Sequence, residues 1–416
     1  MLRILHTADW HLGQTFYEYD RKLEHRLFLD WLKDTLKAKA IDLLVISGDV
    51  FDVSNPDAAS ISMFYNFLRD TAINNPELQV IVTAGNHDSP SRLQAPNPLL
   101  TENITIIGEI PRNQKNDIVF EQLLIPVKSK EGVIVAQCIA LPYLRPGDYP
   151  ESDAGDTSYA TGVTAFYQKM LECAEANRQP GQAIIALGHL HTNGAEISTD
   201  DKSERQIMGG LELVTAAAFG DKLAYVGLGH IHKPQKIGGR ENIRYSGSPL
   251  PMSFSEINYK HQVVLVDIEG EVSVSIKPIH IPVTVSLMRV PAKPKTLQEA
   301  LAELNSLPVK DKNSDMNLAP YLQVSVLLDG PAPSLRREVE TAIENKYVRL
   351  AKIEVHYPGA EHEDMPVLSV DAVQKLAPED VFKKIYQSRF NNQPADEVLQ
   401  FFRDVVYEIQ TSDLIR

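Results

Sequence analysis

Short apolar runs alternate with longer amphipathic stretches through the first two thirds of the chain. "LRIL" from residue 2, "DLLVIS" at 42 to 47 and "LQVIVT" at 78 to 83 are rich in Val, Ile and Leu, and each runs into a polar cluster. Between them, helical spacing covers residues 21 to 39 and about 57 to 75. Further strand-like runs follow at "VIVAQCIAL", "AIIALGH", "AYVGLGH", "IRYSGS" and "HQVVLVDI". This alternation of strand and helix predicts an α/β layered domain over residues 1 to 281.

Proline density rises at "HIPVTVSLMRVPAKPKT", which predicts a linker. Beyond it come "SLMRV", a helix at about 295 to 306, "YLQVSVLL", a helix at about 333 to 345, and "RLAKIEVHY". These make a small α+β module, assigned to residues 282 to 360. Residues 361 to 416 are expected to form C-terminal helices. "VDAVQKLAPEDVFKKIYQSRF" is broken at Pro378, and "ADEVLQFFRDVVYEIQ" places Val398, Phe401, Phe402, Val405 and Ile409 on one stripe.

At 416 residues the chain is too long for one compact core and suits two or three domains. Its 43% hydrophobic content is ordinary for a globular protein. No run approaches the roughly 18 apolar residues of a membrane span, and "MLRILHTAD" turns polar too early for a signal peptide, so a cytoplasmic protein is expected. Of the two cysteines, Cys138 falls in a strand-like run and Cys173 in a helical one. Neither has a C-x-x-C neighbour, so nothing supports a zinc finger or redox pair, and two small buried hydrophobes are expected. The net charge of −14 argues against a strong stand-alone DNA binder, because phosphate neutralisation needs basic groups. A local patch, a metal or a partner would have to supply them.

The chemistry lies in the polar clusters that end the strands: Asp9-Trp10-His11, Gly48-Asp49-Val50-Phe51-Asp52, Gly85-Asn86-His87-Asp88, Gly188-His189 and Gly229-His230-Ile231-His232. Open α/β sheets gather functional side chains at carboxyl strand ends. Residues i and i+2 of an extended segment face the same side, so Asp9 with His11, and His230 with His232, can each address one point. Asp9, His11, Asp49, Asn86, His189, His230 and His232 are too many ligands for one tetrahedral ion. They suit two divalent ions sharing a bridging carboxylate, and a set of imidazole, carboxylate and amide oxygen suits manganese, iron or zinc.

The order D-x-H, G-D-x-x-D, G-N-H-D, G-H, G-H-x-H resembles the calcineurin-like metallophosphoesterase family. "HTADWHLGQ", "SGDVFD", "AGNHDS", "LPYLRP", "GLGHIH" and "YSGSPLPMSFSE" resemble, within it, the nuclease subunits of bacterial SbcCD complexes. The resemblance covers about residues 1 to 280; beyond that it is one of layout. It implies a four-layer β-sandwich flanked by helices, a small DNA-binding capping domain, and C-terminal helices that dock a partner. One metal would take Asp9, His11, Asp49 and His232, and the other Asp49, Asn86, His189 and His230, with manganese expected. His87 would contact the phosphate and protonate or stabilise the leaving oxygen, with Asp88 orienting its ring; the competing expectations are that some of the ligands merely cap turns and that His87 is a structural turn histidine. Asp52 is open between a hydrogen bond to a ligand and a helix cap. His191 and His6 are expected to be structural, and "YSGSPLPMSFSE" either lines the groove beside the metals or is a surface loop.

The function so implied is a metal-dependent exonuclease and endonuclease acting at double-strand DNA ends and hairpins in repair, recombination and replication. Its implied partner is an SbcC-type ATPase related to structural-maintenance proteins, in a heterotetramer containing a homodimer of this chain, associated with the nucleoid. The Ile61, Phe64, Tyr65 and Leu68 stripe would ordinarily be core, whereas the resemblance implies that helices here pair two subunits. Two alternatives stand beside this. One is another phosphoesterase, acting on phosphoproteins or cyclic nucleotides; the other is a DNA-end scaffold that does not cut.

Overall fold

The computed structural model describes residues 1–149, 158–197, 213–357, 378–390 and 393–412. The chain divides into two compact units, Met1–Thr284 and Val285–Arg416. The first is built on two six-stranded sheets. In one, the order is Val272–His280, Gln262–Glu269, Leu2–Thr7, Leu43–Ser47, Gln79–Thr83 and Ile104–Ile107; the last four are parallel and the first two antiparallel. In the other, Gln235–Ile237, Arg240–Tyr245, Tyr225–Gly229, Ala183–His189, Ile134–Ala140 and Leu124–Lys128 lie side by side, with the four inner strands parallel.

The inner strands read as nearly continuous apolar runs because both of their faces are buried. Ile4, Leu43, Val45 and Ile81 of the first sheet share one core with Ala136, Cys138, Ile185 and Leu187 of the second, so the sheets are packed face to face. Side chains of opposite parity, such as Leu5, Leu44 and Val82, point outward into a second core. There they meet Phe28 and Leu32 of the helix Lys22–Ala38 and Phe64 and Phe67 of the helix Ala58–Asn74. The outer face of the second sheet packs against Phe166, Tyr167 and Met170 of the helix Tyr159–Asn177. The result is four layers, helix–sheet–sheet–helix. Cys138 is buried in the sandwich, where desolvation pushes its thiol pKa up, as expected of an inert core residue.

Four strands of the two six-stranded sheets, Ile104–Ile107, Leu124–Lys128, Gln235–Ile237 and Val272–His280, escape the sequence pattern because each lies at a sheet edge. An edge strand needs no continuous apolar run: Val272 and Val274 are exposed. The expected linker is also shorter than its prolines suggest. Pro291 and Pro294 belong to the strand Leu287–Thr296, on the edge of the second unit's sheet, where a missing N–H is tolerated.

In the second unit Leu287–Thr296, Tyr321–Leu327 and Arg349–His356 run parallel in sequence order. Helices Leu297–Asn305, started by a Thr296–Glu299 capping box, and Leu335–Ile343 make the crossovers. Ala300, Leu304, Leu322, Val324, Val326 and Val339 form its core. Helices Pro378–Phe390 and Asp396–Ser412 meet through stacked Phe382 and Phe402, 4.2 Å between centroids, and a two-pronged Arg403–Glu379 pair. Pro378 opens the first of these helices; the stretch before it, and the boundary expected at 360, lie outside the described residues. The apolar stripe on the last helix is split: Phe402 is engaged while Phe401 stays 71% exposed. Among the described residues, no helix is long and apolar enough to cross a membrane.

The stripe on Ala58–Asn74 divides in the same way. Phe64 and Leu68 are fully buried, Tyr65 donates to the Leu93 carbonyl at 3.2 Å, and Ile61 is exposed. Phe64→Ala should therefore destabilise the chain by about 3 to 5 kcal/mol, whereas Ile61→Ala should stay within about 0.5 kcal/mol. Urea unfolding followed by circular dichroism ranks the two; the reverse order would place the packing on the helix's outer face.

Candidate metal centre

Because the inner strands of both sheets are parallel, their carboxyl ends carry the five polar clusters toward one another. The loops after Leu2–Thr7 and Leu43–Ser47 are zipped by backbone bonds: Asp9 N donates to the Gly48 carbonyl, His11 N to that of Asp49 and Leu12 N to that of Val50, all at 2.9 to 3.0 Å. Trp10 drives its indole into the helix-facing core, edge-on to Phe28, Phe64 and Phe67. Its neighbours Asp9 and His11 are thereby left on the site side. Asp9, His11, Asp49 and His230 all adopt positive φ, of 54°, 45°, 49° and 98°. Such conformations cost free energy and persist only where the surroundings enforce them. Gly48 and Gly85 make the closeness possible: a Cβ on Gly48 would lie 2.2 Å from His189 Nδ1, and one on Gly85 2.1 Å from Asp49 Oδ1.

All seven expected ligands converge. Asp9, His11 and His232 bring ligand atoms within 4.8 Å of one another, as do Asp9, Asp49 and His189. Asp49 Oδ2 stands between the two halves of the cluster, 3.6 Å from His11 Nε2 and 3.3 Å from His189 Nε2. Asn86 Oδ1 lies 2.9 Å from His189 Nε2 and 3.0 Å from His230 Nδ1. Asp9 Oδ1 accepts from His230 N at 2.8 Å, joining the sheets across the site.

These donors fit cations. His189 Nδ1–H donates to the Ser47 carbonyl at 2.9 Å, so in the neutral ring Nε2 is a lone pair facing the lone pairs of Asn86 and Asp49. Asp9 Oδ2 and His11 Nε2 are buried with no hydrogen-bond partner among the described residues. Acceptors left facing one another in a buried space are costly without positive charge among them. Asp9, His11, Asp49 and His232 would hold one ion, and Asp49, Asn86, His189 and His230 another. Imidazole, carboxylate and amide oxygen without thiolate suits first-row divalent ions.

The electrostatics report the same crowding. Burial, reinforced by Asp49, lifts the Asp9 carboxyl to about 7 against the pull of His189 and His232. For His189, burial disfavours the charge, but Asp49 and Asp9 overcome it and push the ring up to about 9. Burial also opposes the Asp49 charge, yet His189 and His11 hold that carboxyl well below its ordinary range. Burial depresses both His11 and His230.

The neighbouring residues sort into supports. Asp52 Oδ1 accepts from His11 Nδ1–H at 3.1 Å, while the cap of the following helix is supplied by Asp57, whose Oδ1 accepts from Ser60 N at 2.6 Å. His87 Nδ1–H donates to the Asp52 carbonyl at 2.6 Å, and the His87 ring stands edge-on to His11 at 4.8 Å. Asp88, expected to orient that ring, is occupied elsewhere: its carboxylate accepts from Gly85 N, Phe51 N and Val50 N at 2.8, 2.9 and 3.2 Å. It locks two ligand loops together, and the Asp52 carbonyl takes over the orienting contact. His6 contacts the Tyr225 hydroxyl at 2.8 Å inside the sandwich, and burial lowers its pKa to about 3. His191 is half-buried, its ring 6.0 Å from His230.

"YSGSPLPMSFSE" is neither a free surface loop nor an open groove wall. Ser246, Ser248, Leu250, Met252, Phe254 and Glu256 are buried. Arg21, paired with Glu24 in the interior, donates to the Pro251 carbonyl at 2.6 Å, and Ser248 N donates to the His232 carbonyl at 3.2 Å. Glu256 Oε1 lies 3.6 Å from His232 Nδ1, a carboxylate behind a ligand imidazole that sequence reasoning did not single out. Only its position at the end of that buried serine- and proline-rich segment hinted at it. Tyr143, edge-on to His189 at 6.1 Å, was likewise missed.

Metal binding must displace the protons that Asp9 and His189 hold near neutrality. Mn2+ affinity should therefore fall as pH drops from 8 to 6, by about tenfold per pH unit for each proton displaced. Calorimetric titration in buffers of different ionisation enthalpy checks this: affinity independent of pH, with no proton release, would contradict it.

The family model for the calcineurin-like phosphoesterases matches residues 2–234, and the model described as the type 5 capsule protein repressor C-terminal domain matches residues 283–390. The SbcD component of the SbcCD nuclease of Rhodobacter capsulatus is 37% identical over 366 residues, covering 86% of this chain and 88% of that protein. The SbcD protein of Bacillus subtilis is 30% identical over 429 residues, covering 99% and 100%, and that of Escherichia coli K12 is 30% identical over 356 residues, covering 83% and 82%. Matched over more than half its length by the phosphoesterase model and over most of it by these relatives, the chain belongs to the calcineurin-like phosphoesterases and, within them, to the SbcD family of nuclease subunits.

Proposed function

We propose that this chain is a dinuclear, manganese-dependent DNA phosphodiesterase that trims double-strand ends and opens hairpins, by exonuclease and endonuclease action. The observation that supports it best is the convergence of Asp9, His11, Asp49, Asn86 and His189 across two sheets, with Asp9 Oδ2 and His11 Nε2 buried and without a hydrogen-bond partner among the described residues, in a family that uses divalent metals. When bound, the ions supply Lewis acidity at the phosphoryl group and lower the pKa of the attacking water.

The chain's own residues do the rest. His87 keeps its Nδ1 proton on the Asp52 carbonyl, so the proton it can give to the leaving oxygen is the one at Nε2. His87 N donates to Asp49 Oδ1 at 2.8 Å, which ties the acid's backbone to the shared carboxylate. Asp52 holds His11 in the ring orientation that turns its Nε2 toward Asp49, and the Glu256 carboxylate lies behind His232 Nδ1.

Under the same proposal the chain works with an SbcC-type ATPase in DNA repair, recombination and replication, as a homodimer inside a heterotetramer, in the cytoplasm at the nucleoid. The names of the relatives point to a two-component complex, and a net charge of −14 fits a subunit whose hold on DNA comes largely from a partner. Residues 282 to 360 would contact DNA, and residues 361 to 416 would dock the ATPase through the face carrying Phe401 and Val405, both exposed.

Two experiments test this. Purified chain in Mn2+ should release nucleotides from linear duplex DNA, and His87→Leu should retain its metal content by mass spectrometry while losing about 10²- to 10⁴-fold in rate. Undiminished turnover in that variant would remove His87 from the chemistry. Deleting residues 370 to 416 should abolish co-purification with the ATPase and leave metal binding intact; retained association would move the docking surface elsewhere.

A further inference from the structure

The segment Leu141-Pro142-Tyr143-Leu144-Arg145-Pro146 supplies no ligand, yet it lies against the ligands. It follows the strand Ile134–Ala140, and Tyr143 N donates to the Ala84 carbonyl at 2.8 Å, immediately before Gly85-Asn86-His87. The half-buried Tyr143 ring meets His189 at 81°. The Arg145 guanidinium lies over the same ring, 5.5 Å from its centroid. One aromatic ring thus separates a cation from a ligand imidazole.

The turn that carries Arg145 is fixed: Arg145 N donates to Asp148 Oδ2 at 2.7 Å, and Asp148 N returns to the Arg145 carbonyl at 2.9 Å. Its guanidinium, by contrast, has no hydrogen bond or ion pair among the described residues. Arg3, Arg21, Arg178, Arg240 and Arg244 of the same unit each sit on a carboxylate, Arg92 and Arg112 on Asn55 and backbone carbonyls, and Arg26, also without a carboxylate among the described residues, lies exposed on the helix Lys22–Ala38. In a chain of net charge −14, a half-exposed guanidinium left without a carboxylate beside an anion-handling site is placed for an anion from outside.

We propose that Arg145 binds the backbone phosphate next to the one held at the metal centre, with Tyr143 as the positioning residue that aims the guanidinium along the strand. This deepens the nuclease function proposed above and rests on it. With the Tyr143 ring between the guanidinium and His189, Arg145 is assigned not to the phosphate at the ligands but to its neighbour along the strand. A planar guanidinium takes two phosphate oxygens at once and is steadied by an aromatic face. The pair therefore selects polynucleotides over diesters with a single phosphate.

The test uses the full chain in Mn2+, with linear duplex DNA and bis(4-nitrophenyl) phosphate as substrates, and anisotropy of a fluorescein-labelled duplex to read binding without turnover. Arg145→Ala should lower kcat/KM on DNA by about ten- to hundredfold, carried by KM, and weaken duplex binding alike. The dependence of log KM on log salt should become shallower by about one. Arg145→Lys should restore that salt dependence but not the full affinity, because a point charge does not replace the fork. Tyr143→Leu should raise KM in the same direction and add nothing in the Arg145→Ala background; a purely structural role would add. Unchanged DNA binding and KM in Arg145→Ala would overturn the assignment, as would an equal loss on the single-phosphate diester. A wild-type chain that hydrolyses the diester but neither binds nor cuts DNA, alone or together with its ATPase partner, would instead overturn the nuclease function, and Arg145's role with it.

Discussion

Two carboxylates, Asp9 and Asp49, are brought into the interior of one small space, and among the described residues neither has a Lys or Arg side chain against it. Burying charge that way is expensive unless opposite charge accompanies it. Much of the surrounding architecture serves this juxtaposition. Parallel strands deliver the carboxylates from adjacent strand ends, glycines allow the approach, and imidazoles from the second sheet close the far side.

The local conformations show what holding that arrangement costs. Four of the seven proposed ligands sit at positive φ, which an isolated chain would abandon. They persist because each loop is anchored outside the site: one by the Trp10 indole among three phenylalanines, two by the three backbone N–H groups gathered on Asp88, and another by the buried strap ending at Glu256. Asp88 illustrates how a conspicuous motif residue serves a site without facing it. Burial and the Asp49 charge raise its carboxyl to about 6, while the three N–H groups pull the other way.

The inner strands, the flanking helices and the seven converging side chains were legible in the sequence because each has a local signature: an apolar run, a 3.6-residue stripe, a polar cluster with glycine. What was not legible has no such signature. Edge strands such as Val272–His280 alternate too weakly, and Pro291 and Pro294 read as a linker although an edge can carry them. Glu256 and Tyr143 reach the ligands only through long-range packing, from segments far away in sequence. Asp88 followed the motif's acid so closely that proximity in sequence suggested contact, whereas the turn directs its carboxylate to backbone on another loop.

The hydrogen bonds that cross between the two sheets carry a mechanical consequence. His6 meets the Tyr225 hydroxyl, Ser47 Oγ–H donates to the Gly227 carbonyl at 3.0 Å, and His189 Nδ1–H donates to the Ser47 carbonyl. All three cross the sandwich just beneath the ligand loops. The two halves of the site belong to different sheets, so any sliding of one sheet over the other would pull the ligands out of register. These polar contacts act as dowels against shear. The floor of the site is thereby decoupled from movements of the surface around it, and adjustments to a long substrate fall to the outer loops alone.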